Sequence, residues 1–231
     1  MNSLLSFIGR RERLEAAEYN EVPTIFTEAE FLNLVENLEI NSEFLEFKED
    51  IKNLFFTLFY TGIRIGEAFA VFGKRQKDIK TGRQFNLLDG TQLAVYSQML
   101  KDSKKITSTK TGKERVAYVI QNNFLRIQAW ADLDRATKEK LRKIEFSYLI
   151  KKAGRLTFPK DSEKQNLKAH DCRHSYAVHL LNSGVSISLI AKSLGNSVLV
   201  CEKYYLGYAL QEEGIQMIHQ MMSQPRLKKV S

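Results

Sequence analysis

The stretch KAHDCRHSYAVHLLNSGVSISLIAKSLGN, Lys168–Asn196, decides how the chain is read. A helix over His170–Ser183 puts His170, Arg173 and His174 on one side, because residues three and four apart share a face. Gly184 ends that helix. Ser186 starts a second one, SISLIAKSL, which Gly195 closes. Arg173 offers a rigid, permanently charged fork suited to phosphate oxygens. His170 can exchange a proton near neutrality. The plainer alternative is a helix N-cap with a core histidine. His174 and His179 read as structural. His170 and His174 have metal-ligand spacing, but no third ligand is evident, so no metal is expected.

Outward from this stretch, the most apolar run is LFFTLFYTGI, Leu54–Ile63, which suits a buried helix broken at Gly62. Arg64 follows directly in TGIRIGE. An arginine there needs a carboxylate, a carbonyl or a bound anion. Glu67, three residues on, could satisfy it and nothing more need be implied. Ahead of these, Thr27-Glu28-Ala29-Glu30 is a capping box for a helix carrying Phe31, Leu34, Val35 and Leu38. A short helix near Arg64 carries Ile65, Ala68 and Phe69. Residues 73–90 read as loop. TQLAVYSQML reads as a strand, and KKITSTKTGKERVAYVI as a hairpin turning at Thr111-Gly112. Lys110 lies at its tip, either a mobile amine able to reach a phosphate ester or a solvated turn lysine. Helices follow over Asn122–Ala131 and Lys138–Lys152, with Gly154 as C-cap, and a last one over Ala209–Met222. Tyr204-Tyr205 lie in CEKYYLGY. A phenol is a weak nucleophile unless cations stabilise the phenolate, and aromatic packing explains either ring equally well. The fold class is mainly α with a small antiparallel β-sheet (α+β).

The chain has 231 residues, 35 Lys plus Arg against 27 Asp plus Glu, a net charge of +8 and a pI near 9.3. An apolar share of 43% excludes a disordered chain. No run of 18 apolar residues occurs, so no membrane helix and no membrane partner is expected. The N-terminus lacks the apolar core of a secretory signal. Cys172 and Cys201 alone build neither a disulfide scaffold nor a zinc site. The dispersed basic groups favour a polyanion such as nucleic acid, although solvated faces account for them too.

Arg64, Lys110, His170-x-x-Arg173 and Tyr205 occur in an order that resembles the catalytic domain of the tyrosine recombinase (phage integrase) family. TGIRIGE resembles its TG-x-R-x-x-E box, STKTGKERVAYV its lysine-bearing hairpin, and KAHDCRHSYAVHLLNSG its H-x-x-R-H box. The resemblance implies a site-specific DNA recombinase or integrase working through a 3′-phosphotyrosyl intermediate. Arg64 and Arg173 would clamp the phosphate. Tyr205 would attack, Lys110 would protonate the leaving 5′ oxygen, and His170 would assist proton transfer. Glu67 would orient Arg64 and His170. No cofactor is implied. The partners implied are double-stranded DNA and further copies of the chain, as a tetramer on DNA. The expected location is the cytoplasm of a prokaryotic host, with an origin in a mobile element or virus left open.

Tyr205 is preferred to Tyr204 because it stands nine residues after Asn196, the family's usual interval. On a helix Tyr204 would point about 100° away. Asn196 departs from the family, which places His or Trp there. Asn can donate a hydrogen bond to a phosphate oxygen but cannot shuttle a proton or carry positive charge. The expected organisation is an arm at 1–22, with a helix over Leu4–Ala17, a catalytic domain at 23–210, and a C-terminal helix and basic tail at 211–231 that could exchange between protomers. Two readings compete with the enzyme. One is a catalytically weak or inactive DNA-binding protein retaining the fold. The other is a helical regulator using the Gly184 turn, which leaves Arg64, Lys110 and Tyr205 unexplained.

Overall fold

The computed structural model describes residues 23–120 and 123–209. The expected helix Leu4–Ala17 and all but the first residue of Ala209–Met222 lie outside them. Helix α1 (Glu28–Glu36) starts with the capping box read from the sequence: Thr27 Oγ1 accepts from the Glu30 N–H, and the Glu30 carboxylate accepts from the Thr27 N–H. A 3₁₀ turn, Ser42–Phe47, leads into α2 (Lys48–Thr61). Every α2 residue from Ile51 to Thr61 is buried, so this helix is the axis of the domain rather than a surface element. Phe31 of α1 stacks on Phe59 at 4.1 Å and meets Phe56 edge-on at 5.3 Å.

After the short α3 (Ile65–Ala68), six strands follow: β1 (Val71–Phe72), β2 (Asn86–Asp89), β3 (Gln92–Val95), β4 (Ser97–Met99), β5 (Ile106–Ser108) and β6 (Arg115–Tyr118). One sheet has the order β1-β2-β3-β6, and β4 pairs with β5 separately. The pair β1–β2 is parallel, so the small sheet is mixed rather than wholly antiparallel. Residues 73–90 are not all loop either. β2 and β3 form a hairpin with Asp89 opposite Gln92, and Lys77 bridges Gln84.

The expected single strand TQLAVYSQML is broken at Tyr96 by the buried Asn86. Its Oδ1 accepts from the Tyr96 and Ser97 N–H groups, and its Nδ2 donates to the Glu67 and Ser97 carbonyls. That break also undoes the expected hairpin. The arms flanking Thr111-Gly112 do not pair with each other: β5 goes to β4 and β6 goes to β3. Only the turn is tight, with the Gly112 N–H on the Thr109 carbonyl at 2.9 Å.

The remaining helices are α4 (Phe124–Asp132), α5 (Arg135–Leu141), α6 (Phe146–Thr157), α7 (Ala169–Asn182), α8 (Ile187–Leu194) and α9 (Val198–Ala209). The expected helix Lys138–Lys152 is thus two helices. On one continuous helix the buried Leu141 and Phe146 would lie about 140° apart and could not both face the core. The turn at 142–145 resets the phase, and Phe146 packs between Phe55 and Phe69. Gly154 does not cap α6. It lies inside it, where an added Cβ would come within 2.7 Å of the Lys164 carbonyl. A second apolar cluster joins α7, α8 and α9 around Tyr176, Ile190, Leu194 and Tyr205.

Gly62 ends α2 in the left-handed conformation at φ +63°, under the ring of Tyr176, 2.3 Å from where a Cβ would sit. Gly62→Ala should therefore cost about 2–4 kcal/mol, from left-handed strain and overpacking together. Gly112→Ala, at φ +70° with open space around it, should cost only about 1–2 kcal/mol. Urea unfolding of the two variants checks the difference.

Candidate active site

Four of the sequence-predicted residues come from two short segments that α2 and α7 bring together. Arg64 is the N-cap residue of α3, immediately after the Gly62 turn. Its N–H donates to Glu67 Oε2 at 2.8 Å, and its Nη1 lies 3.4 Å from Glu67 Oε1. Its side chain is 19% exposed, so the guanidinium reaches the surface. Arg173, on α7, is buried. Its Nη1 donates to the Gly62 carbonyl at 2.8 Å, and its Nη2 to the Leu194 carbonyl at 2.6 Å and Asn196 Oδ1 at 3.1 Å. Burial pulls its pKa down to about 9, with the positive Arg64 and Arg115 adding to the effect and Glu67 opposing it, so it stays charged at neutral pH.

Glu67 is fully buried and differs from the expectation. Its chief partner is Arg115 of β6, whose Nη1 and Nη2 reach Oε1 at 3.0 Å and Oε2 at 2.5 Å. Arg115 Nε also donates to the Ser193 carbonyl on α8. In the sequence Arg115 is one of several dispersed basic residues, near Lys110 and Lys113. Its sole local hint was an arginine at an inward position of a strand with the burial pattern of a half-buried sheet.

His170 lies on the first turn of α7 and is exposed. The dense protein around it, then the charges of His174, Arg173, Arg64 and Lys110, push its pKa below the usual imidazole value. Lys110 is exposed in the Thr109–Gly112 turn, close enough for its charge to act on His170. Tyr205, on α9, is buried, and its Oη lies 3.0 Å from His174 Nδ1. Burial raises its pKa, while the charges of Arg173 and Arg64 oppose the rise. The charges of Arg64 and Arg173 thus act on both His170 and Tyr205, and that of Lys110 on His170. His174, read as structural, is in contact with the phenol. Its spacing from Arg173 could not reveal this, because α9 supplies the other half of the contact.

The family model for the phage integrase family matches residues 25–207. The chain belongs to the phage integrase family. Among solved structures it is similar to the Tn1549 transposon integrase (residues 82–397) in complex with circular intermediate DNA, at 14% identity and a TM-score of 0.59, over 88% of this chain and 68% of that one. It is also similar to XerA recombinase, at 18% identity and a TM-score of 0.49, over 90% of this chain and 66% of that one. The catalytic domain of bacteriophage HP1 integrase matches at 13% identity and a TM-score of 0.46, over 89% and 99%. The chain thus spans about two thirds of the first two proteins. No curated protein matches it significantly.

In this integrase-family chain Asn196 accepts from Arg173. It follows the left-handed Gly195, its N–H closes a Schellman turn onto the Ala191 carbonyl, and its amide also meets the Cys201 thiol. Among the described residues no group of His, Cys, Asp and Glu is arranged to hold a metal ion, and no helix is long and apolar enough to cross a membrane.

Burial alone would raise the pKa of Glu67, but the Arg115 fork, then the charges of Arg115, Arg173 and Arg64, hold it below the ordinary value of 4.5. The unfolded chain therefore binds this proton at higher pH than the folded one. The stabilisation is present above the unfolded pKa and is lost as pH falls through the folded one. Glu67→Gln should lower stability by about 3–5 kcal/mol at neutral pH by stranding buried Arg115. The gap to the parent should narrow on acidification below about pH 4.5, measured by urea unfolding across pH.

Proposed function

We propose that this integrase-family protein is a site-specific DNA recombinase that cuts and rejoins strands through a 3′-phosphotyrosyl intermediate at Tyr205. Membership in the family supports site-specific recombination in general. The observation that carries the finer reading is the gathering of Arg64 and Arg173 beside the Gly62 turn, with their charges acting on the Tyr205 phenol.

On this reading the two guanidinium groups hold the non-bridging oxygens of one DNA phosphate. Negative charge grows on those oxygens in the transition state, and preorganised cations stabilise it there. The Tyr205 oxygen attacks phosphorus, the bond to the 5′ oxygen breaks, and Lys110 supplies the proton to that oxygen. His170, at the exposed mouth, assists proton transfer near the phosphate. The phosphotyrosyl bond conserves the diester energy, so another strand's 5′-hydroxyl can reverse the attack and leave recombined DNA. No cofactor enters this sequence. Double-stranded DNA is the partner, and several copies of the chain, four in a complete exchange, assemble on it.

Tyr205 is 1% exposed and α9 packs on α7 and α8, so attack requires α9 to shift when DNA binds. That burial, with Asn196 in the position where the family pattern has His or Trp, favours the second reading, a DNA-binding protein of low or no activity. A pool of nicked duplexes with randomised flanks separates the two. The enzyme traps itself on its preferred sequence as an adduct that survives detergent, whereas the binding-only protein is recovered without one. With the selected duplex, Tyr205→Phe should abolish the adduct and Tyr204→Phe should retain it. Arg64→Ala should slow adduct formation about 10²–10³-fold without unfolding the domain, since Arg64 lies partly at the surface.

A further inference from the structure

The phenol that must lose a proton is not in contact with His170, the histidine expected to help it. Among the described residues, the side-chain partner of Tyr205 Oη is His174 Nδ1, at 3.0 Å. The His174 ring stands 4.7 Å from the His170 ring, nearly perpendicular to it, and 5.8 Å from the ring of Tyr205. The two histidines thus divide along α7. His170 faces solvent in the field of Arg64, Arg173 and Lys110, where a phosphate would enter. His174 sits one turn further in, on the side of α9.

We infer that His174 is the catalytic base that takes the phenolic proton of Tyr205 through Nδ1 as the phenol attacks phosphorus. The assignment rests on the recombinase reading above. The balance is simple. The Tyr205 O–H bond breaks, its electron pair forms the new O–P bond, and the proton goes to Nδ1 of an imidazole already protonated on Nε2. The bond from phosphorus to the 5′ oxygen breaks, and Lys110 protonates that oxygen. In the rejoining step the same imidazolium returns its proton to the departing phenolate.

Three features support the role. His174 is fixed on α7 next to Arg173, so the base and the phosphate clamp move as one body. Burial, then the charges of Arg173 and Lys168, lower its pKa to about 4, so the ring is neutral and able to accept at physiological pH. An arriving phosphate offsets the positive field of Arg173 and strengthens the base when it is needed. Because the contact spans α7 and α9, a shift of α9 that exposes the phenol must carry Oη along the His174 edge or surrender the base.

The test is single-turnover adduct formation by the full chain on the nicked duplex recovered from the randomised pool. His174→Gln keeps an amide that can hold the phenol but accepts no proton. It should bind the duplex within about twofold of the parent yet form adduct at least about 100-fold more slowly near pH 7. Its rate should recover about tenfold per pH unit towards pH 9, as hydroxide replaces the base, while the parent stays nearly flat. A variant within about threefold of the parent, or a slow one whose rate gains nothing with pH, overturns the assignment.

Should His174→Gln unfold, the parent chain on a 5′-bridging phosphorothiolate decides. Sulfur leaves without a proton from Lys110, so with a His174 pKa of about 4 the rate should hold from about pH 7 to about pH 5 and fall about fourfold by about pH 3.5, and a rate unchanged down to about pH 3.5 overturns the proposal. If the parent forms no adduct on any duplex, the recombinase reading itself fails. Adduct from the parent together with an active Gln variant overturns this assignment alone.

Discussion

A buried carboxylate among three guanidinium groups is the constraint on which the rest of the site depends. Glu67 binds the Arg115 guanidinium through both oxygens and the Arg64 guanidinium through one, and its charge reaches Arg173. Each arginine comes from a different part of the chain: the turn after α2, the last strand of the sheet, and helix α7. In a low-dielectric interior, three like charges without Glu67 would force these elements apart. With it, three positive charges meet one negative, 3 − 1, and a surplus of two remains. Backbone carbonyls around Arg173 offset part of that surplus, and Arg64 is the member that reaches the surface.

The parts of this arrangement that are local were legible in the sequence. The Thr27 box, the break at Gly62 and the spacing of His170, Arg173 and His174 each depend on residues within one helical turn. What could not be read depends on pairing across the chain. β2 was missed although Asp89-Gly90 is a hairpin signal, because a four-residue strand is weakly periodic. The hairpin around Lys110 was over-read. Its turn chemistry is real, but Asn86, more than ten residues away in sequence, diverts β4 from β3 and so gives the two arms different partners. Arg115 looked like surface charge because nothing near it in sequence announces a buried acid on α3.

His174 shows the same limit at the level of chemistry. Its sequence neighbours describe a core histidine on a well-formed helix, and the structure keeps that description. What changes its meaning is the phenol brought by α9 across 31 residues. A histidine can be both a packing residue and the nearest acceptor of a reacting proton, so burial does not argue against chemistry here. It sets the state of the ring, because desolvation holds the imidazole neutral.

Arg173 explains why Asn196 is tolerable where a proton carrier would be expected. Two helices, α2 and α8, each end at a left-handed glycine, Gly62 and Gly195. The turns aim the Gly62 and Leu194 carbonyls at one guanidinium, a favourable place for a cation because helix C-termini carry partial negative charge. Asn196 Oδ1 adds a third acceptor. A guanidinium has about five N–H donors, so these three bonds among the described residues fix its plane and still leave donors for a phosphate. A histidine in place of Asn196 would supply a proton but would offer Arg173 one neutral nitrogen at most. The asparagine instead spends its oxygen on holding Arg173, and on the proposed recombinase reading proton transfer falls to residues on α7 and the Lys110 turn.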